Sequence, residues 1–137
     1  MSVFSLLFLL GTLCCADTLV MQDQLPTTAS DFLNTHFPEQ TIGYIERDGL
    51  EYNVNFSNGW EVEFNRRGEW HHVDCRRDPV PASIQHLLPQ PILTYVATHF
   101  STAAITEVDK DAQSYEIGLS NDLDLRFSLS GNFKRID

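Results

Sequence analysis

Apolar residues recur at helical spacing in two stretches of the chain and at strand spacing after each of them. In residues 26–37, and again about sixty residues later, apolar positions fall three or four residues apart, which is typical of the buried face of a helix. They are Ala29, Phe32, Leu33 and Phe37 in the first stretch and Ile92, Tyr95, Val96 and Phe100 in the second. Each stretch predicts an amphipathic helix of about three turns, and Pro26 suits the first turn of the first helix.

Beyond Thr41 the apolar positions alternate with polar ones, which indicates strands with one wet face. Tyr52, Val54 and Phe56 alternate with Glu51, Asn53 and Asn55, and then Trp60, Val62 and Phe64 alternate with Glu61 and Glu63. Turn residues separate the runs at 48–49, 57–59 and 67–68, and Asn58-Gly59 is the strongest hairpin signal. The pattern predicts four antiparallel strands after each helix.

Residues 25–74 recur, without a gap, as residues 88–137. At this offset of 63 (88 minus 25) the two segments share thirteen identities over fifty positions, whereas unrelated segments would share roughly three. We interpret the chain as one structural unit used twice. The predicted fold is α+β, with a helix or helix-loop-helix packed on a four-stranded antiparallel meander in each unit and the two sheets side by side.

The last strand of each unit breaks the alternation of apolar and polar residues. Trp70 and Val73 are three residues apart, so both cannot point inward on a regular strand. The same spacing recurs in the second unit. We expect a β-bulge near His72, and another near Arg135, to bring such a pair to the inner face.

The remaining segments are assigned around the two repeats. Residues 17–24 form an N-terminal lead, and residues 75–87 form a linker that contains the rigid turn Asp78-Pro79-Val80-Pro81 and a short helix beginning near Pro81. A unit of about fifty residues buries too little surface to be stable alone. We therefore expect the repeats, 25–74 and 88–137, to pack together.

The first sixteen residues, Met1 to Ala16, carry no charge and contain an apolar run from Val3 to Leu13. This pattern is typical of a secretory signal peptide cleaved after Ala16, with a buried N-terminal helix or a lipoprotein anchor as alternatives. The run is too short to span a bilayer, which takes about twenty residues. The sequence predicts a secreted or periplasmic protein with no membrane span in its mature form.

The chain is strongly acidic, with 9 Lys and Arg against 19 Asp and Glu and a net charge of −10. Such a surface repels phosphate, so nucleic acid is not an expected partner. Cleavage would remove Cys14 and Cys15 and leave Cys75 without an intramolecular disulfide partner. Cys75 could then be a free thiol at the junction of the repeats, a dimer link or a small buried residue.

The order of elements and several motifs resemble the PepSY-like family of secreted bacterial proteins, also called beta-lactamase-inhibitor-like. The motifs are Trp70-His71-His72-Val73-Asp74 and Phe133-Lys134-Arg135-Ile136-Asp137, the frames Val62-x-Phe64-x-x-x-Gly68 and Leu125-x-Phe127-x-x-x-Gly131, and Val80-Pro81-Ala82-Ser83-Ile84. The likeness covers residues 25–137. It implies a helix-loop-helix on a four-stranded sheet, twice, with a broad sheet face for another protein and no catalytic residue.

The densest group of possible metal ligands is the run His71-His72-Val73-Asp74-Cys75. Its atoms suit zinc or copper, but adjacent strand residues point to opposite faces unless the bulge turns both histidines the same way. Asp48, Asp111, Asp74 and Asp137 could suggest calcium, yet no dense oxygen-rich loop surrounds them. We predict solvated and turn-forming residues here, with no metal and no cofactor.

The sequence also lacks the motifs of common enzymes. It has no Gly-x-Ser-x-Gly elbow, no phosphate-cradling glycine loop, no motif with the spacing of zinc-ligand pairs and no paired carboxylates on a common helix face. We therefore predict a non-enzymatic protein.

Outward carboxylates on the first sheet would steer a basic protein partner. We predict a binding or inhibitory module that uses this acidic face and the hairpin tips, and its candidate residues are Glu51, Asn58, Glu61, Glu63, Glu69, Asn121 and Asp124. The charges could instead only keep the sheet soluble. Two other classes stay open, a ligand or metal-ion sensor and a structural part of an envelope assembly, and the sequence does not define the oligomeric state.

Overall fold

A computed structural model describes residues 18–137 and shows an α+β fold built on one antiparallel sheet of nine strands in sequence order. The strands are β1 (Thr18–Val20), β2 (Ile42–Asp48), β3 (Glu51–Phe56), β4 (Glu61–Phe64), β5 (Trp70–Asp74), β6 (Ile105–Lys110), β7 (Ser114–Leu119), β8 (Asp124–Ser128) and β9 (Phe133–Ile136). The helices are α1 (Thr27–His36), α2 (Ala82–Gln85) and α3 (Gln90–His99), and a 3-10 turn, Gln22–Gln24, precedes α1. The predicted signal peptide lies outside the described residues.

Helices α1 and α3 bury the apolar stripes that the sequence predicts. The buried residues are Ala29 and Leu33 in α1 and Ile92 and Val96 in α3. The two helices also end alike, since the N–H of Phe37 donates to the carbonyl of Leu33 and that of Phe100 to the carbonyl of Val96, each at 2.8 Å. Over the part of the chain described, no helix has the length and apolar composition needed to cross a membrane.

An aromatic pair joins each long helix to the last strand of the same half, where the first half is residues 25–74 and the second half is residues 88–137. Phe32 of α1 stacks on Trp70 of β5 with ring centroids 5.7 Å apart, and Tyr95 of α3 stacks on Phe133 of β9 at 4.4 Å. Each helix ring also meets a fully buried phenylalanine edge-on at 5.5 Å. Aromatic pairs of this kind contribute about 0.5–1.5 kcal/mol beyond their buried area, so they help to fix each helix on its strands.

A row of directly opposed apolar residues crosses the sheet beneath the helices. It contains Val20, Ile45, Val54, Val62, Val73, Val108, Ile117, Leu125 and Ile136, one from each strand. From β3 to β8 these residues have no exposed surface. Because side chains alternate along a strand, the residues next to this row point to the opposite, open face.

The β-bulge expected near His72 lies one residue earlier. Glu63 and Phe64 of β4 are opposite His72 and Trp70 of β5, so His71 is the extra residue. A corresponding register shift separates β8 and β9. The bulge lets two side chains three residues apart both face the helices.

The two halves share a single sheet because β5 pairs with β6, with Val73 opposite Val108. The sheets expected side by side are therefore one continuous sheet. Thr18–Val20, assigned from the sequence to the lead, pairs with β2 and adds a ninth strand. The physical reason is that a strand edge leaves backbone groups unpaired, and a neighbouring strand satisfies them.

The segment between the halves is tied to β6. The N–H of Cys75 donates to the carbonyl of Thr106 at 3.0 Å, and that of Val80 donates to Ile105 at 2.8 Å. Val80 and Ile84 are buried. These contacts set the start of β6 beside β5.

Candidate functional site

The open face of the sheet carries two adjoining rows of mainly polar residues. One row contains Glu46, Asn53, Glu63, His72, Asp109, Glu116, Arg126 and Arg135. The other contains Asn55, Glu61, Asp74, Glu107, Gly118 and Asp124. We call the carboxylates around the two histidines the acidic patch, which comprises Glu51, Glu61, Glu63, Asp74, Glu107, Asp109 and Asp124.

His72 lies at the centre of the acidic patch and is enclosed by carboxylates from both halves. Its Nε2 is 3.7 Å from Glu61 Oε1 and 3.8 Å from Glu107 Oε2, and its Nδ1 is 3.6 Å from Asp109 Oδ1. The side chain is only 15% exposed. The predicted solvated strand end is therefore wrong for His72, because β6 covers the edge of β5 and encloses the ring.

His71 faces the same side of the sheet as His72. Its Nε2 is 3.4 Å from Glu51 Oε2, and its Nδ1 is 4.0 Å from Glu63 Oε1. As the extra residue of the bulge, His71 is released from the alternation that would turn it toward the helices. The bulge therefore turns both histidines to the same face, which is the arrangement that a shared role for them would require.

Burial and neighbouring carboxylates disfavour the charged forms of two residues of the patch, Glu63 and Glu107. Burial raises the pKa of Glu63, and the carboxylates of Glu61 and Glu51 raise it further, against the opposite effect of the two histidines. Burial also raises the pKa of Glu107, and Asp74 is the largest charged contributor to that rise. A cation placed on the patch would relieve this repulsion.

Three groups in the patch hold potential metal ligands close together. They are Glu51, Glu63 and His71; Glu61, Glu63 and His72; and His72, Asp74 and Glu107. In each group the ligand atoms lie within 4.8 Å of one another. Imidazole and carboxylate suit zinc, and carboxylates suit calcium, while His71 and His72 fall in separate groups and do not share one site.

The second half neutralises its own open face with arginine. Arg126 donates to Ser114 Oγ at 2.9 Å, Glu116 Oε2 at 3.1 Å and Asp137 Oδ2 at 2.8 Å. A hydrogen bond with Glu116, followed by those from Arg135 and Arg126, lowers the pKa of Asp137 to about 2. Arginine thus compensates Glu116 and Asp137, whereas Glu107, Asp109 and Asp124 of the same half remain in the acidic patch.

Asn58 and Asn121, two of the predicted partner-binding residues, lie at hairpin tips and shape them. Asn58 Oδ1 accepts the N–H of Trp60 at 3.0 Å, and Asn121 Oδ1 accepts the N–H of Leu123 at 3.2 Å. The first tip is also tied to the linker, since Arg76 Nε donates to the carbonyl of Gly59 at 3.0 Å.

Glu69 is placed apart from the other predicted carboxylates. It belongs to the β4–β5 turn, where its Oε1 accepts from Asn65 Nδ2 at 2.9 Å and lies 3.0 Å from Arg67 Nη2. The hydrogen bond from Asn65 and the charge of Arg67 lower the pKa of Glu69. The structure brings Glu51, Glu61, Glu63 and Asp124 onto the open face but leaves Glu69 outside the patch.

Cys75 is a free, fully buried cysteine. Burial raises the pKa of its thiol to about 12, with the nearby carboxylates of Asp74 and Asp78 adding to the effect. Of the alternatives left by the sequence, the structure favours a small buried residue, since an enclosed and protonated thiol is neither a good nucleophile nor an accessible link.

Sequence reasoning missed Asp74, Glu107 and Asp109 as members of the patch. Their place depends on the pairing of β5 with β6, and strand pairing across the linker leaves no mark in the hydrophobic pattern. The bulge was the available signal for the two histidines, because it alters which face residues 71 and 72 occupy.

Comparison with known proteins identifies the family. The sequence model described as "Putative beta-lactamase-inhibitor-like, PepSY-like" matches residues 12–62 and 50–135. The chain therefore belongs to the PepSY-like family, as the motifs at the ends of the repeats suggested. No curated protein matches the chain.

Solved structures of bacterial proteins share the fold. A putative calcium-regulated periplasmic protein from Bacteroides thetaiotaomicron is 35% identical, with a TM-score of 0.80 over 88% of this chain and 96% of that one. A putative periplasmic protein from Bacteroides vulgatus is 33% identical, with a TM-score of 0.82 over 88% and 96%. A second from the same species, of unknown function, is 27% identical, with a TM-score of 0.80 over 89% and 99%. These neighbours confirm the predicted secreted or periplasmic location.

Proposed function

We propose that this chain is a non-enzymatic extracytoplasmic binding module that holds a basic protein partner on the acidic patch. The observation that carries the proposal is the convergence of carboxylates from both halves around His72 on a face that the helices leave open. A partner that supplies positive charge would offset the mutual repulsion of these groups and would be steered toward them.

The likeness of the two halves supports a broad binding face. We infer that the chain is one helix-and-four-strand unit used twice, since both halves have the same bulge and the same helix-to-strand aromatic stack. Pairing of β5 with β6 then doubles the width of the open face. The tips at Asn58 and Asn121 would border the partner through their backbone, because their side-chain oxygens are occupied in the turns.

The reactive side chains support a non-enzymatic role. The Cys75 thiol is buried and protonated. Nucleophilic catalysis needs a base beside a hydroxyl or thiol, and at the patch the imidazoles of His71 and His72 lie against carboxylates instead. An imidazole does meet a hydroxyl away from the patch, where His36 Nδ1 is 2.7 Å from Ser83 Oγ.

A charge-reversal experiment tests protein binding by the patch. The immobilised chain would capture envelope proteins at low salt, and mass spectrometry would identify those released between about 50 and 500 mM salt, a range over which screening becomes strong. The variant Glu61→Lys/Glu63→Lys should lose the basic proteins that the parent retains. A matched control, Asp31→Lys/Glu39→Lys, changes the net charge equally at exposed positions outside the patch and should retain them. Equal capture by both variants would refute the proposed face.

A second candidate function is the binding of a divalent cation by the same patch. Two observations favour it, the three groups of close imidazole and carboxylate ligands and the similarity to a protein described as calcium-regulated. Burial raises the pKa of Glu63 and of Glu107, and neighbouring carboxylates raise it further; a bound ion would offset the part due to those neighbouring charges.

Thermal unfolding with calcium or zinc separates this candidate from the first. A ligand that binds only the folded chain stabilises it by about 2.7 kcal/mol at a concentration of 100 times Kd. The double variant Glu63→Gln/Glu107→Gln removes a ligand from each of the three groups and should abolish the resulting rise in Tm. The matched control Asp31→Asn/Glu39→Gln should preserve it. If neither calcium nor zinc raises Tm, binding of these cations is excluded. Protein binding would still be judged separately, by salt-dependent release from the immobilised chain.

A further inference from the structure

Strand β9 lies at the end of the sheet, and its edge carries an exposed apolar residue at a position that is buried in the equivalent strand β5. Within residues 18–137, β9 pairs with β8 alone. Ile136 lies opposite Leu125 as Val73 lies opposite Val62. Val73 has no exposed surface because β6 flanks it, whereas Ile136 is 51% exposed. A further strand beside β9 would bury Ile136.

The short strand β1 takes on β2 the place that β5 takes on β6. Val20 lies opposite Ile45 as Val73 lies opposite Val108, and the strand directions agree. Strand β1 has three residues, and Leu19 in its middle is largely exposed. The outer edge of β2 can therefore pair with a strand in the way that β6 pairs with β5, but in this chain only the three-residue strand β1 pairs with it.

A cleft beside α1 is bounded by the helix on one side and by a turn on the other, whereas the equivalent place beside α3 has the helix wall alone. The first, of about 800 Å³, has Phe32 and Thr35 on its helix wall and residues 110–112, from the end of β6 into the β6–β7 turn, opposite. Beside α3, Tyr95 and Thr98 belong to an open, mainly apolar helix wall. The segment 63 positions before residues 110–112 is 47–49, which runs from the end of β2 into the β2–β3 turn.

We propose that a second copy of this chain docks head to tail, with its β2 releasing its own β1 and pairing with β9 in the register that β6 has on β5. This arrangement places Ile136 opposite Ile45 of the second copy and Arg135 opposite its Glu46. It also brings the β2–β3 turn, with Leu50 64% exposed, against the helix wall of α3. The contact combines strand addition, apolar burial and opposite charges.

The proposed interface is heterologous, since β9 of one copy meets β2 of the next, and it can extend beyond two copies. It does not rest on the proposed binding of a basic protein or a cation, because it uses the two ends of the sheet rather than the acidic patch. The two proposals can therefore fail separately.

Paired cysteine variants test the register. Opposed strand residues have Cβ atoms about 4.5–5.5 Å apart, close enough to the geometry of a disulfide for oxidation to join them. A mixture of Arg135→Cys and Glu46→Cys chains should give a mixed disulfide dimer. A mixture of Arg135→Cys and Glu39→Cys should not, because Glu39 lies before β2 begins and is seven positions from Glu46. Absence of the mixed dimer, or equally ready coupling of Arg135→Cys to itself, would overturn the proposal.

Weakening β1 tests its release. Val20→Pro removes a backbone donor from the short strand and should tighten self-association in sedimentation equilibrium by about tenfold, equal to about 1.4 kcal/mol. Adding Ile136→Lys should reverse the gain, because a charge would be buried at the interface. The proposal fails if the parent and Val20→Pro chains both remain monomeric up to about 1 mM, a concentration that reveals even weak association.

Discussion

His72 lies directly opposite Asp109 across the junction of the two halves, with its Nδ1 3.6 Å from Asp109 Oδ1. The same strand pair that joins the halves thus forms the centre of the acidic patch. A molecule bound there would contact side chains from both halves. Binding to the patch and the cohesion of the sheet are therefore physically linked.

The burial of Glu63 among other carboxylates predicts a stabilising substitution that depends on pH. The pKa of Glu63 is raised in the folded chain, so folding is favoured while this group is protonated, and stability falls as pH rises from below its ordinary value through the raised one. Glu63→Gln removes the charge and should stabilise the chain at pH 7 by up to about 1 kcal/mol, the range of partly exposed charge interactions. Urea unfolding at pH 7 and at pH 4 measures the difference.

The gain from Glu63→Gln should shrink at pH 4, where the parent carboxyl is largely protonated. The matched variant Glu39→Gln, at an exposed site before β2, should leave the free energy of unfolding within about 0.5 kcal/mol of the parent. A gain from Glu63→Gln that is equal at both pH values would show that packing, rather than charge, is responsible.

The alternation of apolar and polar residues was sufficient to predict the two faces of the sheet. Val54, Val62, Ile117 and Leu125 follow it and are fully buried. The broken spacing of the last strands also predicted the bulges, although His71 rather than His72 is the extra residue. Local patterns succeed here because each side chain's direction depends on its neighbours in the same strand.

The pairing of strand edges could not be predicted from such local patterns. Neither the union of β5 with β6 nor the addition of β1 to β2 is encoded by a period in the sequence, and the membership of Asp74 and Glu107 in the patch depends on the first. Turn conformation is similarly underdetermined. Asp122, which replaces glycine in the second tip, still adopts a positive φ of 70° as Gly59 does at 93°, so the loss of glycine did not change the backbone conformation there.

Truncating a buried aromatic ring should lower the free energy of unfolding more than truncating a partly exposed one. Phe64 is fully buried under α1, so Phe64→Ala should cost about 3–5 kcal/mol. Phe133 is partly exposed on the edge strand β9, and Phe133→Ala should cost only about 1–2 kcal/mol. Guanidinium unfolding of both variants measures this order, and similar losses would contradict the assigned core.

The Cys75 thiol should be unreactive until the chain unfolds. With its pKa raised to about 12 and no exposed surface, very little thiolate is present or accessible at pH 8. Labelling by a thiol reagent, located by peptide mapping, should be slow in buffer and fast in denaturant. Rapid labelling of Cys75 in the folded chain would contradict its burial.

Gly68 is required by both conformation and space, and its replacement should be costly. It has a φ of +85°, and an added Cβ would lie 2.8 Å from Pro26 Cβ and 2.9 Å from the backbone nitrogen of Ala29. Gly68→Ala should lose about 1–2 kcal/mol from the left-handed conformation and a further amount of about 1–3 kcal/mol from crowding against α1. Unfolding by urea gives the total.

Gly49→Ala is the matched control, because Gly49 has a φ of +59° but nothing within 4 Å of an added Cβ. It should therefore show only the conformational loss of about 1–2 kcal/mol. Gly131→Ala should resemble Gly68→Ala, since its added Cβ would lie 2.9 Å from Pro89 Cβ. If Gly68→Ala lowers the free energy of unfolding no more than Gly49→Ala does, the close approach of the β4–β5 turn to the start of α1 is wrong. If Gly68→Ala is costly but Gly131→Ala is not, the two halves do not pack their helices alike.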